Sequence, residues 1–249
     1  MKYGKKPARP GAVSLRFADV FRVAALPTPP ATFGHEALVK SWGMLANDEY
    51  GDCVEAGAAH ETLLWCDSVG GTVSFTDEDV LSDYSAVTGF SAADPNSDQG
   101  TDLQEMAAYR QKTGILDSSG NRHRITAYSS ITPGDLTELM AATYVLGAVG
   151  IGINVPSSME QQFTDGEPLT VVPGDTLVGG HYVPVVGRNA AGNLLVVTWG
   201  SVAEMTPGFF QEYNDEIVPY ISLEYLDKSK VTPENFDMAY LGNFLKELT

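Results

Sequence analysis

The run Asn47-Asp48-Glu49-Tyr50-Gly51-Asp52-Cys53 delivers a thiol to the point where a helical pattern begins. Attack of a thiol on a carbonyl needs a thiolate, a base to make it and donors for the oxyanion. A helix N-terminus helps with the first, because its unpaired amides and dipole lower a thiol's pKa. Asp52 works against it, since an adjacent negative charge disfavours the thiolate, although an aspartate there also suits a helix cap. A lone cysteine in an Ala-rich helix equally suits a small buried hydrophobe. Cys66 stands 13 positions on. Along one helix that is about 20 Å, whereas a disulfide spans only about 7 Å between Cα atoms. Both cysteines are therefore expected to be free thiols of a reduced protein.

The base has to come from four histidines. His60 lies seven positions beyond Cys53, about 10 Å up the same helix and out of hydrogen-bond reach. His35 sits in a proline-rich stretch and His123 between Arg122 and Arg124, and both read as surface residues. His181 follows Gly179-Gly180 and opens an apolar strand. A strand histidine of this kind is either a satisfied core group or a base, and an early helix-start Cys favours the base. Other chemistries lack their motifs: there is no Gly-rich phosphate loop, His-Glu-x-x-His or Gly-x-Ser-x-Gly. The acidic loop from Asp94 to Asp102 lacks the Gly and terminal Glu of a calcium loop and reads as a solvated turn. No metal and no cofactor is expected.

The elements that must position these groups change character along the chain. Residues 1–40 carry Pro7, Pro10, Pro27, Pro29 and Pro30 and read as an extended, wrapping leader. Helical patterns cover 53–66, 77–87, 102–113 and 133–146, the last with Thr132 as N-cap and Pro133 at the first helical position. Strand patterns follow at 148–155, 181–187 and 193–200, the latter two forming a hairpin candidate across Gly192-Asn193 with Pro184 suited to an edge or a bulge. Helical patterns return at 207–218 and 238–247. The expected class is α+β, with a leader over 1–40 and one domain over 41–249. Within it we expect a helical part over 41–147, a β part over 148–200 and a helical C-terminal extension over 201–249.

Taken together, these motifs resemble the papain-like cysteine peptidases, in a divergent form compatible with a phage origin. That family places a Gln six residues before its Cys and a Gly two before it; here Asn47 and Gly51 hold those places. Its His opens a strand of the form His-Ala-Val-x-Val-Val-Gly, matched by His181-Tyr182-Val183-Pro184-Val185-Val186-Gly187. Its Asn-Ser-Trp-Gly is matched by Val197-Thr198-Trp199-Gly200. The resemblance covers roughly residues 35–200. It implies a central Cys-bearing helix facing an antiparallel sheet, with Cys53 as nucleophile, His181 as base and Asn47 with the Cys53 amide at the oxyanion. Gly51, Asp52 and Trp199 then line the substrate site. The departure is Val197, which replaces the orienting Asn and cannot hydrogen-bond His181. Strand alternation turns Thr198 to the opposite face unless a bulge intervenes.

The formal charge of −17 argues against nucleic acid as a partner. Six of the 15 basic residues (Lys2, Lys5, Lys6, Arg9, Arg16 and Arg22) fall in the first 25 positions, with Asp19 the sole acid there. This arm can fold back on the acidic body or reach a protein partner or neighbouring subunit. It is short, basic and not helical, unlike an inhibitory propeptide. No apolar run is long enough for a membrane span and no signal peptide is recognised, so synthesis in the cytoplasm is expected. The expected function is amide or peptide hydrolysis through a Cys53 thioester, with peptide or protein substrates; transfer of the acyl group to an amine uses the same dyad. The alternative is a silent papain-like scaffold that binds or assembles, for example as a virion accessory protein.

Overall fold

The computed structural model describes residues 1–21, 23 and 26–225. Helix α1 (Phe17–Val20) and strand β1 (Phe33–Gly34) precede the central helix α2 (Cys53–Ser68). Helices α3 (Asp77–Thr88) and α4 (Leu103–Lys112) follow, then short strands β2 (Ile115–Leu116), β3 (Arg122–His123) and β4 (Ile125–Tyr128), and helix α5 (Leu136–Leu146). The second half holds β5 (Val149–Pro156), α6 (Met159–Thr164), β6 (Leu177–Arg188), β7 (Leu194–Thr198), β8 (Ser201–Met205), α7 (Pro207–Tyr213), β9 (Asn214–Val218) and β10 (Tyr220–Ser222). The architecture is the papain-like α+β fold: a helical first half packed on an antiparallel sheet of order β8-β7-β6-β5-β9.

Local chemistry explains the helix limits. Thr76 and Asp79 form a capping box at the start of α3, and Gly89 ends that helix in the left-handed region at φ 79°. Asp102 caps α4 by accepting from the Gln104 and Glu105 amides. Helix α2 has no polar face to offer solvent: Cys53 through Cys66 are all buried, as its wealth of Ala and Leu implies. It packs against β6, the strand that carries His181.

Several expectations need correction. The region from 201 is not a helical extension: it runs as β8, α7, β9 and β10, and residues 226–249, including the helical pattern at 238–247, lie outside the described residues. Trp199 and Gly200 both take positive φ (44° and 73°) between paired Thr198 and Ser201. They thus make a tight two-residue hairpin turn, which returns the chain as strand. The helix at 207 stops at Tyr213. There the chain pairs with β5, and the Asn214 amide donates to the Gly152 and Glu216 carbonyls. Helix α5 starts at Leu136, capped by Asp135 rather than Thr132. Pro184 is not at an edge: β6 pairs with β5 on one side and β7 on the other, and an irregularity follows between Val185 and Gly187. The described residues of the 1–40 segment are built into the body, since Phe17, Val20 and Phe21 join the core and β1 pairs with β6.

Candidate active site

Cys53 is held by the loop before it. Asp98 accepts from the Gly51 amide (3.0 Å) and from the Tyr84 hydroxyl (2.7 Å), tying the Gly51 turn to α3. The acidic loop is thus a brace for the site and not only a solvated turn. Leu45 and Ala46 both take positive φ (57° and 67°) just before Asn47, a costly geometry for residues with a side chain. The Asn47 side-chain amide donates to the Tyr50 carbonyl and to Asp52 Oδ1, both at 3.1 Å. Both of its hydrogens are therefore committed within the loop. Asp52 occupies the N-cap position of α2 without a side-chain capping bond. Burial, and then nearby Glu55, push its carboxyl well above the ordinary carboxylate range. The charge that the sequence sets beside the thiol is correspondingly suppressed.

The imidazole of His181 comes from the middle of β6 and is buried. Its Nε2 lies 2.8 Å from Thr198 Oγ1. Nδ1 is buried without a hydrogen-bond partner. With the proton on Nε2 donated to Thr198, Nδ1 presents a bare lone pair. The register slip between Val185 and Gly187 is the bulge that simple alternation omits. Thr198, and not Val197, faces the imidazole. The Trp199 ring stacks on His181 at 4.8 Å between centroids with 21° between planes.

Tyr182 couples the two halves. Its hydroxyl donates to Glu61 Oε1 (2.7 Å), and Glu61 is ion-paired with Arg110, all of them buried. A side chain at Gly57 of α2 or Gly150 of β5 would overlap the Tyr182 ring or hydroxyl, so the ring is gripped on both sides. The Tyr182 backbone N–H, next to His181, points at the Cys53 sulfur. This network was not visible in the sequence; the only available signal was Glu61 within the largely apolar helical pattern of 53–66.

The strongest departure from the sequence reading concerns residues 2–6. They run as a strap between the halves, directly over the thiol. Lys2 N–H donates to the Asn47 carbonyl (3.1 Å), Thr101 N–H to the Gly4 carbonyl (2.7 Å), Lys5 N–H to the Gly180 carbonyl (3.0 Å) and Lys6 N–H to the Thr101 carbonyl (2.9 Å). Gly4 packs so tightly on Gly51 that a Cβ would overlap the Gly51 carbonyl, and its own N–H reaches the Cys53 sulfur. Tyr3 donates to Glu160 (3.1 Å) and sets its ring edge-on to His181. The basic arm thus folds back on its own acidic body: Lys5 pairs with Asp215 and Arg9 with Asp102.

Under the strap Cys53 and His181 are both neutral. Burial raises the Cys53 thiol to about 12, against the smaller opposing effects of the Tyr182 and Gly4 N–H groups. Burial, followed by the charge of His60, lowers His181 to about 3. His60 itself bonds the Gly43 carbonyl (3.0 Å) away from this site. His123 is not a surface residue: Asp117 and Glu224 hold its two nitrogens at 3.0 and 2.9 Å, with Cys66 Sγ 3.9 Å from Nδ1. The donor atoms of Cys66, His123 and Glu224 lie within 4.8 Å of one another, a spacing that suits a metal ion, far along α2 from Cys53. Both cysteines are free and buried.

No protein-family model matches the chain, and no curated protein does so by sequence. Solved structures do match by shape. A procathepsin B from Trypanosoma congolense superposes with a TM-score of 0.65 over 89% of this chain and 86% of that one, at 12% identity. The ragweed pollen allergen Amb a 11, a cysteine protease in its proform, gives 0.57 over 84% and 70%, at 16% identity. A Carica candamarcensis cysteine protease in complex with E-64 gives 0.53 over 77% and 98%, at 12% identity.

Proposed function

We propose that this papain-like chain is a cysteine hydrolase of amide or peptide bonds, held closed by its own residues 2–6. The observation that carries the reading is the imidazole of His181. Thr198 holds its Nε2, Trp199 covers its face, its Nδ1 is bare, and the adjoining Tyr182 turns its backbone N–H towards the helix-start thiol of Cys53. Two of the similar structures are described as proforms, the state that the strap suggests here.

In the open state, water replaces the strap and relieves the burial that keeps both groups neutral. Nδ1 of His181 takes the Cys53 proton, and the thiolate attacks the carbonyl carbon of the scissile bond. The oxyanion forms at the mouth of α2, where the Cys53 backbone N–H lies among the helix's unpaired amides. Asn47 joins it only if its amide turns from Asp52. His181 then returns the proton to the departing amine, leaving a thioester on Cys53. Water, deprotonated by the same nitrogen, attacks that thioester and releases the acid. Thr198 acts as a positioning residue, fixing the tautomer that leaves Nδ1 free.

The test is hydrolysis of a mixed fluorogenic peptide library by the full chain carrying Gly4→Val, which cannot seat the strap against Gly51. Cleavage that disappears in Gly4→Val/Cys53→Ala supports the reading. Absence of cleavage by a folded Gly4→Val protein with a reactive Cys53 thiol refutes it.

A further inference from the structure

At the far end of α2 a second set of chemistry-bearing side chains converges. Cys66 on the last turn of α2, His123 of β3 and Glu224 just after β10 bring a sulfur, a ring nitrogen and a carboxylate oxygen within 4.8 Å of one another. Cys66 lies 13 positions along α2 from Cys53, about 20 Å of helix, so this set is separate from the candidate active site. Cys66 Sγ is 3.9 Å from His123 Nδ1, and Glu224 Oε1 is 2.9 Å from the same nitrogen. A proton on Nδ1 can be given fully to only one of these two acceptors. An ion placed between the three atoms bonds all of them at once.

The other ring nitrogen supplies a second observation. His123 Nε2 lies 3.0 Å from Asp117 Oδ2. Asp117 is itself locked in its turn, accepting from the Ser119 N–H, the Asn121 N–H and the Asn121 side-chain amide (2.9, 2.7 and 3.1 Å). A carboxylate held on the outer nitrogen fixes the tautomer that leaves Nδ1 a lone pair, the arrangement found behind metal-bound histidines. The ligand set decides the metal. A thiolate disfavours the hard, oxygen-seeking cations, whereas thiolate, imidazole and carboxylate together suit zinc. Tetrahedral zinc, with bonds of about 2.0–2.3 Å, sets its ligand atoms about 3.3–3.6 Å apart. The 2.9 and 3.9 Å found here bracket that spacing. Thiolate and carboxylate together also match the charge of a divalent ion. Side-chain exposures of 13% at His123 and 11% at Glu224 leave a route from solvent.

We propose that Cys66, His123 and Glu224 bind one divalent ion of the zinc type, with Asp117 as the positioning residue for His123. Three protein ligands leave the fourth position to water. Binding forms the metal–sulfur, metal–nitrogen and metal–oxygen bonds and releases the Cys66 proton to solvent, with no change of oxidation state. The ion ties the end of α2 to β3 and to the chain leaving β10; His123 is 57 positions from Cys66 and 101 from Glu224. The site is independent of the hydrolase reading.

The test is a titration of the full chain, reduced and stripped with a chelator, with Co2+ and then with Zn2+. Cobalt reports a thiolate ligand through a charge-transfer band in the near ultraviolet. The expected band saturates at one Co2+ per chain, is bleached by Zn2+, persists in Cys53→Ala and disappears in Cys66→Ser. Asp117→Asn should keep the band and weaken Co2+ binding about 10- to 100-fold; unchanged affinity overturns the positioning role. Absence of the band in the folded parent at a large excess of Co2+ overturns the site and leaves His123 as an imidazolium shared by Asp117 and Glu224. A band that survives Cys66→Ser overturns it equally. If Cys66→Ser does not fold, thermal unfolding takes its place. Zn2+ should then raise the melting temperature of the parent by at least about 5 °C, and that of Glu224→Ala by less than half as much. Equal shifts in the two proteins overturn the assignment.

Discussion

Gly4→Val should convert Cys53 from an inert thiol to a reactive one. A valine side chain at position 4 has no room against the Gly51 carbonyl, so residues 2–6 must leave the trough. Their departure removes much of the burial that lifts the thiol from 9.0 to about 12. Three pKa units are about a thousandfold in thiolate fraction at neutral pH. A thiolate of lower pKa is intrinsically less nucleophilic, which returns about a factor of 20. The net gain from ionisation is then about 50-fold if relief is complete, and about tenfold if half the burial persists. Access adds to either figure. The assay is the rate of iodoacetamide labelling at pH 7.5, followed by mass spectrometry of the peptides containing Cys53 and Cys66. Cys66 serves as internal control, since it is buried far along α2. The expected result is a Cys53 rate raised at least about tenfold with Cys66 unchanged. An unchanged Cys53 rate in a folded variant refutes the closure argument. Equal acceleration of both cysteines points to general loosening and refutes it equally.

Thr198→Val in the Gly4→Val background should lower peptide hydrolysis about 10- to 100-fold and flatten the pH profile of Cys53 labelling, because the His181 tautomer is no longer held. Thr198→Ser should restore both, and equal activity of the three proteins removes Thr198 from the mechanism. Glu55 is buried against Thr101 (2.7 Å), and burial raises its carboxyl from 4.5 to about 8. A folded pKa above the unfolded one means a stabilisation present below about pH 4.5 and lost as pH rises towards 8, on the order of a few kcal/mol. Glu55→Gln should therefore unfold at higher denaturant concentration than the parent at pH 8.5, with the gap closing at pH 4.5. A gap of constant size at the two pH values contradicts the assignment.

How much of this was legible in the sequence depends on the range of the interaction. The helix starting at Cys53 and the strand carrying His181 were readable, because composition and periodicity are local signals. The α+β order and the Gly192-Asn193 hairpin were readable for the same reason. What failed depended on partners distant in the chain. Thr198 faces His181 because of a one-residue slip near Val185, and no pattern in 193–200 encodes that slip. The return of the chain as β8 is hidden in the sequence because Trp199-Gly200 is an unusual pair for a tight turn. The strap leaves no local mark in the sequence because its signal is spread over Gly4, Gly51, Gly100 and Gly180. Each is unremarkable alone, and together they bring backbone against backbone. Lys5 read as one of several solvated cations, since its acids lie 210 positions away in sequence.

The central claim is that Cys53, freed of the strap, forms an acyl-enzyme with His181 as its base. The direct measurement is intact-protein mass spectrometry after acid quench of Gly4→Val mixed with an activated lysine ester. The account predicts a mass increase equal to one lysyl group, located on Cys53, absent in Cys53→Ala and strongly reduced in His181→Ala. A Gly4→Val protein whose Cys53 is alkylated readily but never carries the acyl group contradicts it.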